Sequence, residues 1–181
     1  MRVVSNAGPL IALGTLGHLS LLLKLYGSIL IPREVYNEVV VNGLHLGAAD
    51  AQAADFMIQQ GHIRIVDVTL PSPLPAWAQA IDIGELEVIV LAQQQSADRV
   101  LIDDKDAREA ARHVGLCIQG TIGLLLAAFR HSHLSLQELE LLIHRIKALP
   151  HLWISDTLCD RVLAQAQQEA RSSHESSGSE L

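Results

Sequence analysis

Aromatic residues are scarce in this chain: two Trp, two Tyr and two Phe make up 3% of its 181 residues. With 49% hydrophobic residues and a mean hydropathy of +0.27, the core must be built from Leu, Ile, Val and Ala. The length is enough for one domain with a real core. Only two cysteines occur, Cys117 and Cys159, far apart and outside any C-x-x-C spacing. They read as small buried hydrophobes in a reducing compartment. No apolar run is long enough to span a bilayer, because Lys24 interrupts residues 19–31 and residues 122–129 are too few. No secretory signal opens the chain, since Met1-Arg2 leads straight into a short strand. A cytoplasmic protein without membrane contact is expected.

Positive charge is also in short supply. Thirteen Lys and Arg stand against twenty Asp and Glu, a net charge of −7. That argues against a protein that coats nucleic acid. A nuclease stays open, because a metal site needs acid and a local basic patch can hold phosphates. Neither GxxxxGK[ST] nor GxGxxG occurs, so a nucleotide-binding or phosphotransfer domain is the weakest reading. The nine histidines are scattered. The closest pair, in His131-Ser132-His133, lacks the partners of a zinc motif and reads as a polar helix end.

What is present is an alternation of strand and helix signals, which predicts an α/β fold with a mostly parallel sheet. Strands are expected over residues 2–5, 28–31, 62–66, 99–102 and 116–119. Helices are expected from Gly8-Pro9 onward, then over 18–26, 32–41, 48–60, 83–95, 106–114, 122–131, 135–149 and 155–170. Residues 43–47 read as a loop, and the proline-rich 70–75 as a stiff connector that no helix crosses. The helix over 83–95 shows apolar residues on one face. Residues 171–181 are rich in Ser, Glu and Gly and lack apolar anchors, so a disordered tail follows a single domain over 1–170.

Acidic residues sit where only folding could gather them. Asp103-Asp104 follows the apolar Val100-Leu101-Ile102, and Asn6, an amide in place of an acid, follows Val3-Val4-Ser5. In open α/β sheets ligands bind beyond the carboxyl ends of the strands, so both positions point to one edge if their strands are neighbours. Glu38 and Glu85 lie on helices able to lean over that edge. Converging carboxylates repel, and a divalent cation is the usual reason such a cluster is tolerated. Oxygen-only ligands suit Mg2+ or Mn2+ better than zinc. One or two such ions activate water and stabilise the leaving oxygen of a phosphodiester, which makes a metal-dependent phosphodiester-cleaving enzyme the leading idea.

Each residue also has a plainer reading. Asn6 satisfies backbone groups in its strand-to-helix turn. Glu38 is a solvated helix residue, although Glu34 and Glu38 then form an unfavourable i,i+4 pair of like charges. Asp82 and Glu85 make a D-x-x-E capping box before an apolar run. Asp103, Asp104 and Asp106 serve as turn and cap residues, with more acids than one cap needs. Lys105, Arg108 and Arg112 fall at i, i+3 and i+7 and line a phosphate-holding face, or Arg108 simply pairs with Asp104. Thr121 after Gly120 offers a hydroxyl and helix amides to a phosphate, or acts as a plain N-cap.

Five ordered blocks carry a family resemblance. They are Val4-Ser5-Asn6-Ala7-Gly8-Pro9-Leu10-Ile11; Ile31-Pro32-x-x-Val35-Tyr36-x-Glu38-Val39; Asp82-x-Gly84-Glu85-x-Glu87-x-Ile89-x-Leu91-Ala92; Leu101-Ile102-Asp103-Asp104-x-x-Ala107-Arg108; and Gly120-Thr121-Ile122-Gly123-x-Leu125. Together they resemble PIN-domain proteins, and more closely the VapC-like subgroup of toxin-type ribonucleases often catalogued as a domain of unknown function. The resemblance implies a three-layer α/β sandwich with a mostly parallel central sheet flanked by helices. It implies a Mg2+- or Mn2+-dependent endoribonuclease, a hydrolase acting as the toxin of a toxin–antitoxin pair. A small antitoxin and a second copy of the chain would then be partners. The family's acidic positions fall on Asn6, Glu38, Glu85, and Asp104 or Asp103, the set implied to hold metal and carry catalysis. Lys105, Arg108 and Thr121 are the implied RNA phosphate contacts. Active PIN nucleases usually carry Asp where this chain has Asn6, and an amide oxygen coordinates magnesium without adding negative charge. The alternative is therefore a catalytically weak or inactive PIN-like module that binds RNA or protein. The C-terminal stripe Leu158, Val162, Leu163 and Ala166 closes the core, or in part grips an antitoxin or a second copy.

Overall fold

Short apolar strands set the frame. They are β1 (Val3–Ser5), β2 (Ile29–Pro32), β3 (Ile63–Val66), β4 (Arg99–Leu101) and β5 (Ile118–Gln119). In the computed structural model, which describes residues 1–149, 152 and 154–177, they form an all-parallel five-stranded sheet in the order β3-β2-β1-β4-β5. Val3, Val4, Val100 and Leu101 are fully buried, so these strands read as apolar runs rather than alternating patterns, as a sheet covered on both faces requires. The result is a three-layer α/β sandwich.

The strand order reverses at β1. The chain steps outward through β2 and β3, then returns to pair β4 with the other side of β1. Ser5 is opposite Leu101 in that pairing, and the Asn6 N–H donates to the Leu101 carbonyl at 2.9 Å. The residues after β1 and β4 are thereby brought side by side at the switch point, where ligands of open α/β sheets bind.

The chain folds as two compact units, residues 1–121 and 122–181. The first holds the sheet with α1 (Ala7–Thr15), α2 (Leu21–Tyr26), α3 (Arg33–Tyr36), α4 (Gly43–His45), α5 (Ala49–Gln59), α6 (Ile83–Gln94) and α7 (Lys105–His113). Pro9 lies in the first turn of α1, where its missing N–H costs nothing. The helix opened at Pro32 does not stop before residue 43. It runs from α3 into a π turn, Asn37–Asn42, and on into α4. The loop expected over 43–47 is therefore helical through His45. Gly43 is a close-approach residue rather than a breaker: a Cβ there would stand 2.6 Å from the Ala51 Cβ on α5.

A second departure concerns α6. Its apolar residues are buried on more than one side, because α6 packs on β1, β2 and β4 while Leu86 and Val90 meet a strap formed by the segment that precedes the helix. That strap carries Val68, Leu70, Trp77, Ala78 and Ile81, and includes a 3-10 turn over Ala76–Ala80 that the proline-rich sequence did not signal. Cys117 is exposed, not buried, since it precedes the edge strand β5.

The second unit contains most of α8 (Thr121–Arg130), with α9 (Leu136–Ala148) and α10 (Asp156–Ser177). Ser135 and Glu138 form a capping box at the start of α9. Val162, Ala166 and Cys159 are buried, consistent with a stripe that closes a core. α9 and α10 are linked by Lys147–Asp160 at 2.7 Å and Gln167–Glu140 at 2.7 Å. α10 continues to Ser177, past the expected end at Ala170. Once a helix is anchored, each added residue gains a hydrogen bond without needing an apolar partner. Residues 178–181 of the expected disordered tail lie outside the described residues.

Candidate functional site

Asn6 occupies the N-cap position of α1 but makes no side-chain cap hydrogen bond. The plainer expectation for it, satisfying the turn's backbone, does not hold. Its carboxamide, on a residue 8% exposed, makes no cap hydrogen bond with the described residues at the end of β1.

The two aspartates after β4 separate into different roles. Asp103 accepts hydrogen bonds from the Thr121 N–H at 2.7 Å and from the Thr121 hydroxyl. Gly8 and Gly120 close around it: a Cβ on Gly120 would lie 2.8 Å from Asp103 Oδ1, and one on Gly8 3.5 Å from Oδ2. Burial pushes the Asp103 carboxyl up, while the two Thr121 hydrogen bonds and the Arg108 charge pull it back. Asp104 is the N-cap of α7. Its Oδ1 alone accepts from the Asp106 and Ala107 N–H groups, at 2.8 and 2.9 Å, and its Oδ2 takes no part in the cap. Adjacent residues leaving a strand point to different sides, so one aspartate ties the fold together and the other faces the remaining acids.

Those acids come from α3, the π turn and α6. Asp82 and Glu85 form the capping box of α6, with Asp82 Oδ1 accepting from the Glu85 N–H at 3.0 Å and Glu85 Oε2 from the Asp82 N–H at 3.3 Å. Glu85 is 9% exposed. Its carboxyl is pushed up to about 7, first by desolvation, then by the charges of Asp82 and Asp104, with a smaller push from Glu38. Glu38, on the π turn, is exposed as a residue, so its desolvation is partial. That desolvation, then Asp82 and Glu34, still raises its carboxyl above the ordinary range. Glu85 thus caps a helix, as its plainer reading has it, and feels the charges of Asp82, Asp104 and Glu38.

Sequence reasoning missed Glu87. Its Oε2 accepts the Glu34 N–H at 3.1 Å and so fixes the start of α3 against α6. Gly84 lets the helices approach, its Cβ position lying 3.8 Å from the Glu34 Cβ. Glu34 in turn accepts from the Asn37 amide at 3.2 Å. The available signal was spacing: Glu87 lies two residues beyond Glu85 and therefore off the Glu85 face. We expect Glu87→Gln to weaken divalent-ion binding about tenfold through loss of this alignment, measured by calorimetry, with the unfolding temperature little changed. Unaltered affinity would remove Glu87 from the site's support.

The three expected phosphate contacts have different surroundings. Thr121 is 0% exposed and gives both its hydroxyl and its N–H to Asp103. Arg108 stands toward Asp103 and Gly120, with Nη1 3.3 Å from the Gly120 Cβ position; it compensates Asp103 rather than pairing with Asp104. Lys105 is exposed at the start of α7 and stays a candidate contact.

Among the described residues, no three His, Cys, Asp or Glu side chains stand close enough together to hold a metal ion as placed. The chemistry of the donor set nonetheless fits a hard divalent cation. Glu38, Glu85, Asp104 and Asn6 offer only oxygen for coordination, and a cation would offset both the desolvation that chiefly raises Glu85 and Glu38 and the smaller push from neighbouring carboxylates. The sequence matches the family model described as a PIN domain over residues 2–168. No curated protein matches the chain.

Proposed function

Since the chain belongs to the PIN-domain family, whose members are generally nucleases, we propose that it is a Mg2+- or Mn2+-dependent endoribonuclease. The observation that carries this reading is Glu85. A carboxyl with a pKa of about 7, nearly covered and set among Asp82, Asp104 and Glu38, is an electrostatic cost without a bound cation. Its helix α6 packs on β1 and β4, whose pairing makes the switch point where the fold class binds its ligands.

In this mechanism Glu38, Glu85 and Asp104 would hold the metal and Asn6 would complete the set or orient the water. A bound divalent ion supplies water activation and neutralises charge building on the phosphodiester. Asp104 arrives already oriented by α7, and Asp103 fixes the end of β4 through Thr121. Lys105 contacts a phosphate near the acids. The VapC-like motif pattern supports the further reading as the toxin of a toxin–antitoxin pair, cytoplasmic, dimeric and held by a small antitoxin. No described helix is long and apolar enough to cross a membrane.

The test is calorimetry with Mg2+ and Mn2+ on wild type and Glu38→Ala, followed by RNA cleavage with and without EDTA. We expect Glu38→Ala and Asp104→Asn each to lose metal binding and cleavage, by about a hundredfold or more, with folding intact. Metal-dependent cleavage retained in both variants would end the assignment. A second reading, a PIN-like module that binds RNA or protein without useful catalysis, draws on Asn6 at an acidic position and on the spacing of the acids. It expects weak metal binding and an RNA affinity indifferent to EDTA.

A further inference from the structure

The 3-10 turn Ala76–Ala80 and α7 border a groove of about 440 Å³, lined by Trp77, Ile81, Asp106, Glu109, Ala110 and His113. The volume suits two or three side chains rather than a folded surface. One wall is apolar: Trp77 and Ile81 are braced from below by Ala78, Leu86 and Val90. The other is a single face of α7, with Asp106, Glu109, Ala110 and His113 at i, i+3, i+4 and i+7. Asp106 and Glu109 are exposed, and their carboxylates enter no ion pair or hydrogen bond with a described residue. Among the described residues no Lys or Arg lines the groove; on the same helix Arg108 is turned to Asp103.

We propose that this groove docks a basic, partly apolar peptide segment of a partner protein. An indole facing two carboxylates is the combination that holds an Arg or Lys side chain, with the cation over the ring and its charge met by the acids. Ile81 and Ala110 accept a neighbouring aliphatic side chain. The chain's net charge of −7 steers such a partner inward. RNA is disfavoured here, because Asp106 and Glu109 repel phosphates. The proposal does not depend on cleavage or on a bound metal.

The probe is an acetylated Leu-Arg-Leu-Arg-Leu peptide, titrated by calorimetry into the full chain in EDTA, beside a Leu-Glu-Leu-Glu-Leu peptide, spermine and a short RNA. The basic peptide should bind. Glu109→Gln and Trp77→Ala should each weaken it at least about fivefold, and Glu109→Lys should shift preference toward the acidic peptide. Glu109 is exposed, so its variants keep the test valid if Trp77→Ala does not fold. No binding of the basic peptide, or affinity unchanged by Glu109→Gln, would overturn the proposal. Spermine binding as tightly as the peptide would also overturn it, leaving the apolar wall without a role. RNA competing at this groove would do the same. A dimer dissociating as the peptide binds would overturn it too, assigning the face to a second copy.

Discussion

Glu85→Gln should abolish metal-dependent cleavage and, in the same molecule, make the metal-free protein more stable at pH 8. The ordinary glutamate value is 4.5, whereas Glu85 in the fold sits at about 7. Between those values the folded chain keeps a proton that the unfolded chain has released. The metal-free protein is therefore relatively stable at low pH, and that advantage is lost as pH rises through about 7. The raised carboxyl of Glu38 acts in the same direction. For a carboxyl that solvent still reaches, the Glu85 contribution is about 2 kcal/mol at most. Glutamine keeps an oxygen for the Asp82 N–H and carries no charge, so it preserves the cap while removing the cost. Thermal unfolding in EDTA at pH 5.5 and pH 8 should show wild type losing stability at the higher pH and Glu85→Gln staying nearly level. Added Mg2+ should raise the wild-type midpoint at pH 8 and leave the variant unchanged, because a ligand stabilises only the state that binds it. A variant that melts below wild type at pH 8, or still cleaves RNA, would contradict this account of the site.

The adjacent aspartates should divide stability from activity. Asp103→Ala leaves the Thr121 hydroxyl and N–H without an acceptor on a residue that is 0% exposed, and leaves Arg108 without its countercharge. Loss of a buried charged acceptor of this kind costs about 3 kcal/mol. Asp104→Asn keeps a side-chain oxygen for the α7 cap, so it should cost about 1 kcal/mol or less while removing metal binding. Urea denaturation and calorimetry on the two variants decide the matter. If Asp104→Asn is the more damaging to stability, or if Asp103→Ala folds with full stability, the division of roles is wrong.

Much of the architecture was legible because its signals are local. Val3-Val4-Ser5 and Val100-Leu101-Ile102 announce buried parallel strands, Asp82-x-x-Glu85 announces a capped helix, and both appear as read. The edge shared by Asn6 and the two aspartates needed one further fact, the pairing of β1 with β4, which is a long-range contact that local pattern does not encode. The roles of Asp103 and Thr121 were hidden for the same reason: their hydrogen bonds join residues 18 apart through backbone geometry. Glu87 was hidden because a carboxylate accepting from the start of another helix looks, in sequence, like a solvated one. The strap over α6 escaped notice since proline spacing marks where a helix cannot run, not what the connector covers.

The π turn that carries Glu38 has a geometric meaning of its own. Such a turn is an α-helix holding one residue more than its hydrogen-bond ladder expects. Between Asn37 and Asn42 that surplus resets the angular phase of the helix, so the residues before and after it answer to different neighbours. Val39 and Val40 remain inward, while Glu38 stays on the side of Asp82 and Glu34. Deleting Asn37 would restore a regular ladder and move the side chains within the turn, Glu38 among them, to new angular positions. The same sequence of acids and valines would then face elsewhere, and the candidate site would lose a carboxylate through a change of phase rather than of chemistry.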